Sequence, residues 1–298
     1  MSLKAGTYEV LAVERESPFG YFLSNGHEDV LLHHSETNQQ ELKIGEEIKV
    51  FLYNDHKGRI AATLQTPKLV FGDVGFLEVT GFQPKVGYFL DNGIGKDVLL
   101  PISELPKERK LWPNLGDRLL VTFNYDKQGR LLAELVVDEL KINQYITKQR
   151  EIDHNKTKLL KQNQTVKGIV IHHFSVGALV LTDTNHLGFI HRSVQIKELR
   201  LGEQVEARVA FIREDGKVNL SMRPLKEVGR IEDAERILQY LKERGGAMPY
   251  WDKTPPEILM EKFHLSKAAF KRAMGKLMKD GLVYQEEGWT YLKENHDV

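Results

Sequence analysis

Phe19-Gly-Tyr-Phe-Leu23, Asp29-Val-Leu-Leu-His-His-Ser-Glu36, Leu42-Lys-Ile-Gly45 and Asp55-His-Lys-Gly-Arg59 follow one another near the start of this chain, and the same four landmarks return twice. The second set reads Val86-Gly-Tyr-Phe-Leu90, Asp97-Val-Leu-Leu-Pro-Ile-Ser-Glu104, Leu115-Gly116 and Asp126-Lys-Gln-Gly-Arg130. The third reads Val176-Gly-Ala-Leu-Val180, Gly188-Phe-Ile-His-Arg-Ser193, Leu199-Arg-Leu-Gly202 and Arg213-Glu-Asp-Gly-Lys217. Landmarks that recur in a fixed order mark tandem structural units. Each unit is built of short strands: Val205-Glu-Ala-Arg-Val-Ala-Phe211 alternates apolar and polar residues, which predicts Val205, Ala207, Val209 and Phe211 on one inner face. Leu119–Phe123 and Ile48–Leu52 fill the same slot in the other copies, each after a turn glycine (Gly45, Gly116 or Gly202). Asp55–Gly58, Asp126–Gly129 and Glu214–Gly216 carry hairpin chemistry. Many short strands with regular turns predict a closed five-stranded barrel in each copy.

This pattern resembles the ribosomal-protein S1 motif, an OB-fold family that binds single-stranded RNA. The resemblance implies aromatic side chains on the second strand, a His ending the third, and an Asp and a basic residue on the last hairpin. The first copy supplies Phe19, Phe22, His33, Asp55 and Arg59. The second supplies Phe89, Asp126 and Arg130 but has Val86 and Pro101 in place of the first aromatic and the His. The third keeps His191 and has Lys217 in the basic slot, while Val176, Leu179 and Arg213 replace the aromatics and the acid.

The residue types suit single-strand binding. Any base can stack on an exposed aromatic ring, Arg and Lys neutralise phosphate, and His stacks or donates a hydrogen bond. Phe189 lies two residues before His191, so a strand puts both on one face, where Phe189 would stand in for the missing second-strand aromatics. Arg192 and Arg213 join Lys217 as basic candidates there. The bland alternative for Phe19, Phe22 and Phe89 is burial in a barrel core or between barrels.

Formal net charge is zero over 298 residues, with 42 Lys and Arg against 42 Asp and Glu, which at first argues against a nucleic-acid binder. The distribution is uneven. Residues 1–66 hold 6 basic and 10 acidic side chains, a net of −4, and 67–138 hold 9 and 10, a net of −1. Residues 139–226 hold 15 and 9, a net of +6, and 227–298 hold 12 and 13, a net of −1. Phosphate attraction is therefore expected to centre on the third barrel and the segment before it. That segment, 139–163, shows partial helical spacing at Leu140, Ile142, Tyr145 and Ile146 with many lysines, and predicts a basic helical linker followed by a looser connection.

Beyond residue 226 the apolar period changes to three and four. Ala234, Ile237, Leu238 and Leu241 make one helical stripe, Pro255-Pro256 opens a second helix, and Ser266 caps a third that stops at Gly281. Val283–Glu286 and Trp289–Leu292, joined at Gly288, form a hairpin, so the module resembles a winged helix. Its third helix puts Phe270, Ala273, Met274 and Leu277 on one side and Lys267, Lys271, Arg272, Lys276 and Lys279 elsewhere, as a recognition helix does. A packing helix with a solvated basic face has the same pattern, and Glu286 and Glu287 weaken a DNA reading.

The chain is thus read as mainly β with α: S1-type OB barrels at 1–66, 67–138 and 164–226, the linker at 139–163, and a winged helix at 227–298. This order, with Gly202-Glu-Gln-Val-Glu-Ala-Arg-Val209 and Phe270-Lys-Arg-Ala-Met-Gly-Lys-Leu277, resembles the conserved virulence factor B family of bacteria. The resemblance implies an RNA-binding regulator acting on transcript stability or translation.

No phosphate-binding glycine loop, nucleophile elbow or zinc-protease helix is present, and no general acid–base pair stands out. His33-His34 and His172-His173 are adjacent on strands and point to opposite faces, and His172, His186 and His191 lack carboxylate support. Glu151, Asp153 and His154 are crowded by lysines and read as a solvated segment. The expectation is a protein without catalysis, cofactor or metal, whose partner is single-stranded RNA. Zero cysteines, no membrane-length apolar run and no signal-peptide core make a cytoplasmic, non-membrane protein the expectation. A DNA-binding transcription regulator led by the winged helix, or a stimulatory subunit of an RNA-processing enzyme, are the alternatives; protein partners are not readable.

Overall fold

The computed structural model describes residues 2–153, 159–223 and 226–293, with side chains of the last stretch from Asp233. Lys156 and Lys158 of the linker, and His154, lie outside the described residues. The chain forms two compact units, 1–223 and 224–298.

The first unit holds three closed barrels of one topology. In the first, β1 (Tyr8–Ser17), β2 (Gly20–Ser24) and β3 (Asp29–His33) run antiparallel; β4 (Glu47–Asn54) pairs with β1, and β5 (Ile60–Thr63) closes the barrel between β4 and, in parallel, β3. The second repeats this with β6 (Gly75–Gln83), β7 (Gly87–Asp91), β8 (Val98–Pro101), β9 (Arg118–Tyr125) and β10 (Leu131–Leu135). After helix α1 (Glu139–Ile152) comes the third, made of β11 (Thr165–Phe174), β12 (Gly177–Thr182), β13 (Leu187–His191), β14 (Gln204–Ile212) and β15 (Val218–Ser221). Leu23, Leu90 and Val180 sit at one repeated core position, and each is fully buried. Gly20 and Gly87 open the second strand where a Cβ would collide with the carbonyl of Leu32 or Leu100, which explains why the repeat keeps glycine there.

One sequence expectation fails. Val205, Ala207 and Val209 are buried inward, but Phe211 is 56% exposed. The register with β15 shifts between Val209 and Phe211, so Ala210 is an extra residue and the alternation flips to the outer face after it.

The barrels share buried surface. Leu201, from the third barrel's sequence, is 2% exposed within the second barrel's core cluster beside Leu77 and Val79. Its N–H donates to the Leu111 carbonyl at 2.9 Å, and the Arg118 N–H donates to the Gly202 carbonyl at 3.2 Å. Helix α1, capped by the Asp138 carboxylate on the Leu140 N–H, buries Ile142 and Ile146 among Leu120, Val136, Ile171 and Leu181. It therefore clamps two barrels together. Lys148 reaches Asp73 at 3.3 Å and Arg150 donates to the Asn185 carbonyl at 2.8 Å, so part of the linker's charge is spent on structure. Tyr125 Oη donates to the Ala5 carbonyl at 2.6 Å and the Leu131 N–H to Asn54 Oδ1 at 2.8 Å, fastening the first barrel to the second.

The second unit packs α2 (Lys226–Glu243), α3 (Pro256–Phe263) and α4 (Lys267–Lys279) around Ile237, Leu241, Leu259, Phe263 and Phe270. A three-stranded sheet in the order β16 (Ala247–Met248), β18 (Trp289–Leu292), β17 (Val283–Glu286) completes a winged helix. Ser266 Oγ accepts the Ala269 N–H, and Gly281 takes the positive φ that ends α4.

Candidate nucleic-acid interface

Cross-strand register places one row of residues on the outer face of every barrel. In the first it runs Arg15, Phe22, Leu31, Ala61, Tyr53. In the second it runs Gly81, Phe89, Leu99, Leu132, Asn124. In the third it runs His172, Leu179, Phe189, Asn219, Phe211. The aromatic side chain moves along the row from copy to copy: from β2 and β4 in the first barrel, to β7 in the second, to β13 and β14 in the third. Phe22, Phe89 and Phe189 are partly buried and lie outside the core clusters. Phe19 is exposed on the turn that opens β2, level with Val86 and Val176.

The first barrel gathers Phe22, His33, Arg59, Tyr53 and His56 around a groove of about 880 Å³. The groove is not ready for phosphate. Glu28, Asp29, Glu36 and Asp55 line it too, and the Arg15 guanidinium lies 3.9 Å from the Phe22 ring centroid while pairing with Asp29 at 3.0 Å. One face of Phe22 is thereby covered. Burial, with Glu36 and Asp55 adding to it, pushes the Tyr53 hydroxyl up to about 12, so it stays a neutral donor.

The hairpin acids serve the turn. Asp55 accepts the Lys57 and Arg59 N–H groups at 2.8 and 2.9 Å and two bonds from the Arg59 guanidinium at 2.9 and 2.6 Å. Asp126 accepts from the Arg130 N–H at 2.9 Å, and also from the Gln128 N–H and Arg130 Nε. These bonds, led by that from the Arg130 backbone, hold Asp126 below the usual carboxylate range. In the third copy Asp215 takes over, accepting the Lys217 N–H at 3.1 Å and pairing with Arg213 at 3.1 Å. Arg59, Arg130 and Arg213 thus stand at the interface already partnered.

Phe89 and Arg130 line a smaller groove together with Tyr53, Asp55 and His56 of the first barrel. Because both grooves share those three residues, one trough joins the two barrels. Lys96 reaches His56 at 3.0 Å across it.

The third barrel brings several rings together. Phe189 lies 6.5 Å from His191 and 6.3 Å from Phe174, and Phe174 lies 4.7 Å from His172. Phe174 is 50% exposed, and Phe211 lies across Asn219 from Phe189. Sequence reading missed Phe174 and turned Phe211 inward; the bulge that exposes Phe211 leaves no signature in the apolar pattern. His33 and His191 share a second role: each Nδ1 accepts the N–H of the Ser two residues on, at 3.2 Å, capping a short 3₁₀ turn. With Nδ1 accepting, the ring's N–H is left to Nε2, on the edge away from the turn. Pro101 in the second barrel caps nothing.

The charged candidates there are less free than expected. Lys217 Nζ lies 2.6 Å from Glu139 Oε1. Arg192 lies 3.9 Å from Glu198, which also binds Lys110 of the second barrel. On α4, Lys271 lies 4.0 Å from Asp252 and Lys276 2.6 Å from Asp280, while Lys267, Arg272 and Lys279 make no ion pair among the described residues.

Similarity to known proteins agrees with this architecture. Residues 5–65 match a model described as an S1 domain, 74–134 one described as the CvfB first S1-like domain, 150–224 the second domain of virulence regulatory factor CvfB, and 235–292 a CvfB-like winged helix domain. Conserved virulence factor B of Staphylococcus haemolyticus is 33% identical over 286 residues, covering 95% of this chain and 92% of that protein. The chain belongs to the conserved virulence factor B family. Within reach of that family, a Bacillus subtilis protein named YitL is 39% identical over 293 residues, covering 98% of this chain and 95% of its own. A crystal structure from Streptococcus pneumoniae, described as a multidomain protein with nucleic acid binding domains, aligns at a TM-score of 0.61 and 29% identity, covering 97% of this chain and 98% of that one.

Proposed function

We propose that the protein binds single-stranded RNA and regulates gene expression after transcription, through transcript stability or translation, without itself catalysing a reaction. The observation that carries this reading is the outer row of the third barrel, where Phe211 lies across Asn219 from Phe189 and the Phe189 ring lies beside His191. Rings stack on unpaired bases, which a duplex hides. The S1 and winged-helix matches and the described nucleic-acid binding domains of the Streptococcus pneumoniae relative support it. We further propose that it meets this RNA in the cytoplasm. Among the described residues no helix is long and apolar enough to cross a membrane.

Filter binding of single-stranded RNA and of duplex DNA at fixed salt tests the reading. Tighter binding of single-stranded RNA is expected; equal or tighter binding of duplex DNA would favour the winged-helix, transcription-regulator alternative. Labelled RNA incubated with and without a divalent metal should stay intact, and cleavage would overturn the non-catalytic part.

A further inference from the structure

The outward face of the wing has no part in the reading of α4 as the basic element of the second unit. Val283, Thr290 and Met248 are buried toward the helices, and the alternation turns Tyr284, Glu286, Trp289 and Tyr291 the other way. Tyr284 stands opposite Tyr291, and Glu286 opposite Trp289. The three rings form one stack: Tyr284 and Tyr291 have centroids 5.2 Å apart and planes at 21°, and Tyr291 and Trp289 are 6.4 Å apart at 24°. Tyr291, in the middle, is partly buried, while the end members Tyr284 and Trp289 are 39% and 42% exposed. A stack whose two ends meet solvent has open aromatic faces.

Beside the Tyr284–Tyr291 pair lies a shallow depression of about 750 Å³, floored by Gly245 and Gly246 and edged by Lys242 and Lys293. Both lysines are exposed and make no ion pair among the described residues. Flat rings suit bases and unpaired ammonium groups suit phosphates. Glu286, beside Trp289, disfavours phosphate at that end only, so the strand's charge belongs at the lysine end.

We propose that the wing's outward face is a second single-strand site, separate from α4, in which unpaired bases extend the Tyr284–Tyr291–Trp289 stack and Lys242 and Lys293 hold the adjoining phosphates. The proposal rests on the RNA-binding reading above. A duplex has its bases stacked internally and offers this face nothing, which distinguishes it from groove recognition by α4.

The test uses the full chain carrying both Tyr284→Ala and Trp289→Ala, titrated with a single-stranded RNA oligonucleotide over a salt series. Affinity should fall about tenfold or more, with the salt slope unchanged. The double variant Tyr284→Phe, Trp289→Phe should bind as the parent does. A 4-thiouridine oligonucleotide should crosslink to the peptide spanning 283–292. If the alanine variant binds as tightly as the parent while Phe189→Ala weakens binding, the wing site is wrong and the barrel reading stands. If the parent binds no single-stranded RNA, both fall. Should the alanine variant lose its melting transition, the exposed pair Lys242→Glu, Lys293→Glu decides: a shallower salt slope supports the site, and an unchanged one overturns it.

Discussion

Lys217 Nζ lies 2.6 Å from Glu139 Oε1, so the first turn of the linker helix neutralises the basic residue on the last hairpin of the third barrel. An ion pair between partly exposed groups contributes at most about 1 kcal/mol, which a phosphate can outcompete. Glu139→Gln should therefore tighten RNA binding and steepen the salt dependence by about 0.7, the value for one single-strand phosphate contact. Lys217→Ala should flatten the same slope. Filter binding from low to moderate salt measures both. Unchanged slopes in the two variants, with normal melting, would mean that phosphate does not approach this hairpin.

The rings of the same barrel act without charge. Phe189→Ala should cost about 1–3 kcal/mol of RNA affinity at every salt concentration, and Phe211→Ala a comparable amount. Neither ring belongs to the barrel's core cluster, so melting temperatures should stay close to the parent's. A Phe189→Ala protein that fails to fold would show that its ring supports the fold rather than the ligand.

The first barrel should contribute less, although it matches the S1 pattern more fully. The Arg15 guanidinium covers Phe22, and four carboxylates line the groove. Phe22→Ala is expected to weaken RNA binding by less than the ~1 kcal/mol at the lower bound for a stacked base. A loss as large as that for Phe189→Ala would show that Arg15 swings aside or sandwiches a base against the ring.

The repeat, the five-stranded barrels and the helices and hairpin of the winged helix were legible because each rests on local signals: turn glycines, period-two and period-three-to-four apolar spacing, and a Ser cap; the order of the strands in each barrel, with its parallel closure, was not. Face assignments held wherever the ladder is regular, as at Phe189 and His191. They failed at Phe211, because a one-residue bulge reverses every later side chain without altering composition. What no local pattern could show was the contact between repeats. Leu201 belongs to the landmark before the turn glycine yet fills the neighbouring barrel, and Lys148 and Arg150 of the basic linker bind Asp73 and the Asn185 carbonyl.

That sharing has a measurable cost when it is broken. Leu201→Ala should destabilise the first unit by about 2–5 kcal/mol, because it empties a site in the second barrel's core. Thermal unfolding would register it as a lower midpoint. Dividing the chain between 138 and 139 would strip Leu201 and helix α1 from the second barrel at once, so the two halves should aggregate or melt early. Two well-folded halves would mean that the shared cluster contributes little.

Acid should weaken the third barrel before it touches the carboxylates. Burial holds His172, His173 and His186 below the usual 6.5; for His173 the neighbouring His172 adds to this, and for His186 Arg150 does. Each is therefore neutral in the folded chain at a pH where the unfolded chain would bind a proton. Unfolding takes up protons in that window, so stability is full above about 6.5 and declines as pH falls toward the lowered values. Asp91, held below its usual 3.8 chiefly by Lys68, keeps its contribution until much lower pH. Melting at pH 5.5 should thus lie below melting at pH 7.5, and His173→Gln should narrow the gap. His173 is the informative choice, since among the described residues its Nε2 is buried without a hydrogen-bond partner, and the Glu108 carboxylate offsets the burial of a charge there only in part. Identical melting at the two pH values would show that these imidazoles reach water when protonated.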